Sequence, residues 1–470
     1  MRIRRLCAAP LLASVGLLSG PSAASAHGIS AKADLPIPAW LFAWAATIVL
    51  LVSFGALAVL WQKPKLADLR ERELFRLGVW ADVVLGLVGL AWFSLVVWAG
   101  LTGTIVATAN LAPTAVWVLF WVGMPIVSAL FGDVFRLLSP WRAIARFVGW
   151  VLSSLGSEGL PEPKPWPEKL GRAPAVVGLF AMGWLELASV SRDDPAVLSV
   201  LALIYAAVQL LGMSAFGVAQ WSDKGDSFGV AFSLIARIAP FDRVNGTLRL
   251  RMPLTGLANL PEVPWTQAVL LVLIGTTSFD GFTQGPLWAD ASQSMTNWFH
   301  SIGLGLSEAA EAASTVGLAG GICVVSLIWL CGIYASAKDL GQPRAEVGRG
   351  FVQVLVPIAL AYTVAHYASF FLVQGQAFFY LVSDPVGSGT DWFGTAQWSI
   401  DYGVISPTGV WWVQVLALVI GHACALVLAH DHALEIANDQ NSATRSQVPM
   451  LIATVAFTTL GLWLLSAANL

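Results

Sequence analysis

Ten windows of about 20 consecutive, mostly apolar residues recur along this chain, and each is long enough to cross a ~30 Å hydrocarbon core as a helix. They lie near 40–61, 79–100, 113–131, 174–190, 196–219, 265–280, 315–337, 351–382, 409–431 and 448–467. Buried in lipid, a backbone must satisfy its own N–H and C=O groups, so such windows can only be helices. The predicted fold class is therefore all-α, a polytopic helical membrane protein of about ten transmembrane helices. With 57% hydrophobic and 11% charged residues, the composition leaves no room for an ordinary soluble globule. The 22 tryptophans suit the headgroup boundary, where an indole keeps one edge apolar and its N–H wet.

Basic residues orient the bundle. Twenty Lys and Arg fall in the loops that begin with Lys63, Arg136, Lys224, Lys338 and Arg445, against only Lys32 and Arg192 in the alternate loops. This bias predicts an inner-membrane protein with both mature termini outside the cytoplasm. Residues 1–26 read as a cleaved signal peptide: Arg2, Arg4 and Arg5, an apolar run from Leu11 to Leu18, then Ala24-Ser25-Ala26. Residues 27–470 form one membrane domain, with cytoplasmic loops near 132–173 and 220–264 and extracytoplasmic loops near 281–313 and 383–408. Within the first loop, PWRAIARFVGWVLSSL predicts an interfacial helix; within the second, Asn245-Gly246 predicts a hairpin turn. The dispersed basic residues offer no nucleic-acid surface. Cys323, Cys331 and Cys424 lie in spans without C-x-x-C spacing, which argues against a zinc knuckle or a structural disulfide.

Ionisable groups inside spans are costly and tend to mark a pathway or a site. The span from Gly409 onward carries His422, then His430, Asp431 and His432 at its end, and the preceding span carries His366. These residues predict a shared polar chamber in which His366, His422 and His430 hold a divalent metal, copper or zinc, with Asp431 as ligand or orienting carboxylate. A mature N-terminus at His27 adds a second candidate, an amine and imidazole pair suited to copper, completed by His300 with Asp290, Asp384, Asp391 or Asp401. Glu186 is a candidate proton carrier or catalytic carboxylate. Against these stand interhelical hydrogen bonds for the histidines and turn-forming roles for the external acids, Asp280 among them. Asp82 and Asp133 are expected to pair with Arg76, Arg136 or Arg142. Phosphate-loop, serine-elbow and H-E-x-x-H patterns do not occur.

The stretches AHGISAKADLPIPAWLFAWAA, FWVGMPIVSALFGDVFRLLSPWRAIAR, FDGFTQGPLW, AHYASFFLVQGQ and GHACALVLAHDHAL resemble bacterial integral membrane proteins named fenitrothion hydrolase, and they spread along nearly the whole chain. The resemblance implies hydrolysis of an organophosphorus triester, such as a phosphorothioate insecticide, with release of a nitrophenol. It carries over no catalytic residues. Metal-assisted attack of water on phosphorus would join the resemblance to the histidine set. The expected partners are an apolar small molecule, membrane lipid and a second membrane subunit. Two alternatives stay open, a non-enzymatic metal-handling or transport protein and a structural membrane subunit.

The topology is directly testable. Reporter fusions after Arg76, Arg172, Arg251 and Arg349 are expected to report cytoplasm, and an external signal from two of the four overturns the predicted orientation.

Overall fold

The structure is a computed structural model that describes residues 39–156, 162–437 and 440–467. The signal-peptide assignment, the cleavage site and His27 lie outside the described residues. The helices that matter here are α1 (Ala39–Leu60), α2 (Val79–Thr102), α3 (Leu111–Phe131), α4 (Pro140–Ser154), α5 (Ala173–Leu187) and α6 (Pro195–Phe216). They continue with α7 (Thr266–Thr283), α8 (Pro286–Ser301), α9 (Leu306–Leu340), α10 (Leu355–Gln374), α11 (Pro407–Ile436) and α12 (Gln440–Ala467).

Eight helical segments among the described residues are long and apolar enough to cross a membrane, and the chain is a helical, multi-pass membrane protein by that measure. Of the predicted windows, the one at 265–280 falls short of it, because α7 is only 18 residues long and carries Thr276, Thr277, Ser278 and Asp280. Packing explains how α7 tolerates them. It is enclosed by α5, α9, α10 and α12, and nearly all of its last three turns is buried, so its surroundings are protein and its side chains need partners rather than apolarity. Close approach supports this enclosure: a Cβ on Gly183 of α5 would lie 2.7 Å from the Thr276 methyl carbon.

Helix α3 departs from regular geometry. Over Thr114–Gly123 its hydrogen bonds widen to i→i+5, and Pro113 and Pro125 bracket the stretch, each withholding an N–H from the α ladder. Widened turns advance the side chains out of their regular phase. As a result Trp121 directs its indole N–H to Glu186 at the end of α5, and Trp117 directs its own to Arg192 in the loop that follows.

A strand before α2 and two strands between α6 and α7 form a three-stranded antiparallel sheet of order β1-β3-β2, from Arg72–Arg76 (β1), Phe241–Val244 (β2) and Thr247–Leu250 (β3). The predicted hairpin is present: Asn245 and Gly246 turn it with φ of 49° and 82°, the left-handed pair that a two-residue turn requires. The third strand was not foreseen, because RELFR is charged and fully exposed and lacks a buried alternating face. Its anchor is the Arg243 guanidinium, which donates to both carboxylate oxygens of Asp82 at 2.7 and 2.9 Å. Asp82 therefore pairs across 161 residues with Arg243, and with Arg146 at 3.7 Å, instead of with Arg76, Arg136 or Arg142. Asp133 is an N-cap, accepting the Arg136 N–H at the start of the short helix Val134–Leu138. The predicted interfacial helix is α4, which buries Trp141 and Ala145 and exposes Phe147 and Trp150.

The segment near 281–313 is helical rather than a loop, forming α8 and the first two turns of α9. Gly285 and Pro286 start α8 with the preorganised φ that proline brings to a first turn.

A double-mutant cycle tests the sheet's anchor. Asp82→Ala with Arg243→Ala is expected to show a coupling of roughly 1–2 kcal/mol in detergent unfolding, as a partly buried bidentate pair should. Additive losses would mean that the sheet is held by its ladder alone.

Candidate functional site

Four side chains from three helices meet inside the bundle. Glu186 is the penultimate residue of α5, Asp280 lies in the last turn of α7, and His366 and Tyr367 are neighbours in α10. Consecutive helical residues point about 100° apart, which lets His366 and Tyr367 approach Asp280 from two directions. Their rings cross edge to face with centroids 4.6 Å apart. His366 Nε2 lies 2.8 Å from Asp280 Oδ2, and the Tyr367 hydroxyl lies 2.8 Å from the same oxygen. That hydroxyl is also 3.0 Å from Glu186 Oε1, while Trp121 Nε1 donates to Glu186 Oε2 at 2.9 Å. Asp280 is 1% exposed and Glu186 4%.

Proton counting makes this arrangement chemically specific. A phenol has one O–H, yet Tyr367 makes hydrogen-bond contact with two carboxyl groups. One contact must then be donated from the carboxyl side. The chain closes without conflict if Glu186 Oε1 carries the proton and donates to the Tyr367 oxygen, Tyr367 donates to Asp280, and His366 donates to Asp280 from Nε2. Trp121 is then correctly placed on the other Glu186 oxygen. Two carboxyl groups in a low-dielectric interior are costly as a pair of bare charges, and this network satisfies them with three donors and one shared proton.

The network has a cover. Arg192 Nη1 donates to the Glu186 backbone carbonyl at 3.4 Å, and Trp117 Nε1 donates to the Arg192 carbonyl at 3.1 Å. The Arg192 side chain remains 27% exposed and that of His366 14%, so these two groups join the buried acids to the surroundings.

The histidines and carboxylates predicted to share an ion are not brought together. His422 is fully buried beside Tyr362, ring centroids 6.2 Å apart, and its Nδ1 donates to Leu418 O at 2.6 Å in its own helix. No hydrogen bond among the described residues joins it to His366. His430 and Asp431 build a clamp at the end of α11. His430 has Nδ1 2.7 Å from Gln447 Oε1 and Nε2 2.7 Å from Trp61 O. Asp431 accepts from Trp61 Nε1, Lys65 N and Leu66 N at 2.8, 2.7 and 3.2 Å. These bonds tie the end of α1 to α11 and α12. His432 contacts Glu435, and His300 reaches Leu304 O at the exposed end of α8. Of the acids expected outside, Asp384, Asp391 and Asp401 accept backbone N–H groups of Gly389, Ala396 and Gly403 in turns, and Asp290 is exposed to solvent. Among the described residues, no three His, Cys, Asp or Glu side chains are grouped to hold one metal ion.

Sequence reasoning found Glu186 and His366 but placed Asp280 among the external acids and passed over Tyr367. The available signal was the polar run Thr276, Thr277, Ser278, Asp280 in a span-length window, since such a run survives in a membrane only when it faces protein. No family model, curated protein or solved structure matches this chain.

The clamp separates stability from chemistry. Asp431→Ala leaves three donors unanswered and is expected to cost roughly 2–4 kcal/mol, read as a lower detergent unfolding temperature. Unchanged stability would return Asp431 to the list of site residues.

Proposed function

We propose that this chain is a membrane protein that binds and relays a proton through Glu186, Tyr367, Asp280 and His366, and that it uses this proton in membrane transport. The observation that carries the reading is the single Tyr367 hydroxyl in contact with both carboxyl groups. Passing the proton takes three small steps. Glu186 gives its proton to the Tyr367 oxygen as Tyr367 gives its own to Asp280, and Asp280 hands it to His366 when Nε2 of the ring is free to accept. No heavy atom needs to move more than a hydrogen-bond adjustment, which is how relays of Asp, Glu and His work in pumps and transporters. The Arg192 cover and the partly exposed His366 are the two ends at which a proton enters or leaves.

A second reading is favoured by the 2.8 Å contact of Asp280 with His366 and by the resemblance to fenitrothion hydrolases. In it, Asp280 orients the imidazole, and His366 takes a proton from a water whose oxygen bonds to phosphorus while the aryloxide bond to phosphorus breaks. An apolar triester would arrive from the bilayer, and Glu186 with Tyr367 would return a proton to the leaving oxygen. The form of this reading with copper or zinc on His366, His422 and His430 together draws no support from the described residues, where the three lie apart, and His27 lies outside them.

Infrared difference spectra of folded protein at neutral pH are expected to contain a protonated-carboxyl C=O band that disappears in Glu186→Gln and shifts in Tyr367→Phe. Absence of such a band in the wild type sinks the shared proton. On the same preparations, pH-dye liposomes and nitrophenol release from a phosphorothioate triester separate the two readings. Proton flux without turnover, lost in Glu186→Gln and Asp280→Asn, supports the relay. Turnover that falls at least about 100-fold in His366→Ala supports the hydrolase.

A further inference from the structure

At the basic end of the molecule, far from the acid network, a small cleft lies between the N-terminal turns of the helices Val134–Leu138 and α4 and the junction of the helices Val218–Lys224 and Ser227–Ala236. Arg136, Ser139, Arg142 and Ser222 line it together with Asp133 and Asp226. Two of these groups are unanswered. Nε and Nη1 of Arg142 are buried without a hydrogen-bond partner, and so is the hydroxyl of Ser222, which is 7% exposed. Buried polar groups of this kind are rare because each costs the full penalty of desolvation, and an unpaired guanidinium costs most.

The nearby acids do not answer Arg142, because their oxygens are committed elsewhere. Asp226 Oδ2 accepts from Trp141 Nε1 at 2.7 Å, and its Oδ1 accepts from Tyr205 Oη and Gly229 N. Asp223 is paired with Arg136 at 2.7 Å, and Asp82 with Arg243. Asp133 caps its helix, accepting the Arg136 N–H on one oxygen, and burial pushes its carboxyl up to about 6. Arg142 itself is lowered to about 10, first by burial and then by Arg136 and Arg146, and it remains cationic at neutral pH. The cleft thus holds a cationic guanidinium with unanswered N–H groups and an open hydroxyl, beside carboxylates that already accept other donors.

Location identifies the ligand. Helix α4 carries the cleft's arginine on one face and exposes Phe147 and Trp150, the latter 65% exposed, on another. Aromatic residues beside basic ones on an amphipathic helix settle at the headgroup level of a bilayer. We propose that Arg142 and Ser222 bind one anionic oxygen of a phosphate group, presented by an anionic phospholipid headgroup or by free phosphate. The space accommodates a water-sized group at its depth, which suits a single phosphate oxygen rather than a whole apolar ligand. Arg142 offers one N–H donor to that oxygen, and the Ser222 hydroxyl a second.

The test uses full-length protein purified in detergent, with native mass spectrometry and unfolding temperature as readouts and phosphatidylglycerol, phosphatidylcholine or inorganic phosphate as probes. The wild type is expected to retain phosphatidylglycerol over phosphatidylcholine and to unfold at a higher temperature with it, with retention falling about tenfold in Arg142→Gln. Ser222→Ala keeps every existing hydrogen bond, so it guards against a variant that merely misfolds, and it is expected to weaken retention several-fold. Arg70→Gln, an exposed arginine outside the cleft, should behave as wild type. Stabilisation by phosphatidylglycerol alone assigns the site to a lipid headgroup, and stabilisation by inorganic phosphate as well assigns it to free phosphate. Equal retention by the wild type, Arg142→Gln and Ser222→Ala, or no stabilisation by either probe, overturns the proposal.

Discussion

Inside a bilayer a polar group has no water to fall back on, and this constraint governs every part of the molecule. The backbone meets it by becoming helical. Side chains meet it in pairs: Glu186 with Trp121 and Tyr367, Asp280 with Tyr367 and His366, Asp431 with the end of α1. Each pairing also fixes how helices sit against one another. The acid network locks the ends of α5 and α7 to the middle of α10, and the clamp locks α1 to α11.

The widened turns of α3 show how such locks are built. A regular helix through Thr114–Gly123 would carry Trp117 and Trp121 at a different angle, and Glu186 would lose the indole donor on one oxygen. The two prolines that bracket this stretch impose a local cost in backbone hydrogen bonds. That cost is offset where Trp121 satisfies a buried carboxyl group, an exchange that widened helical turns often make near functional groups.

Charge is segregated along the bundle. The acid network occupies the C-terminal end of α7, whereas Arg172 donates to Thr266 at its first residue, about 21 Å away at 1.5 Å per residue. Because the two regions share no side chain, a change in one should reach the other only through the rigid helices between them.

Sequence alone determined that the chain is a helical membrane protein, because the length and apolarity of a spanning helix are local properties fixed by the thickness of the bilayer. It also determined the hairpin at Asn245-Gly246, whose left-handed conformations are a local preference, and the amphipathic helix α4. It singled out Glu186 and His366, since a charge within an apolar run is visible in one dimension. Tertiary structure decided their partners. Asp280 and Tyr367 join them across separations of 86 to 181 residues, and no spacing in the sequence encodes such a meeting. The same limit explains the histidines: His422 and His430 share a helix and a residue type with the predicted ion site, but helix rotation and packing send one to the core beside Tyr362 and the other to the clamp. Which face a residue presents depends on the neighbours that enclose it, and those neighbours are chosen by packing.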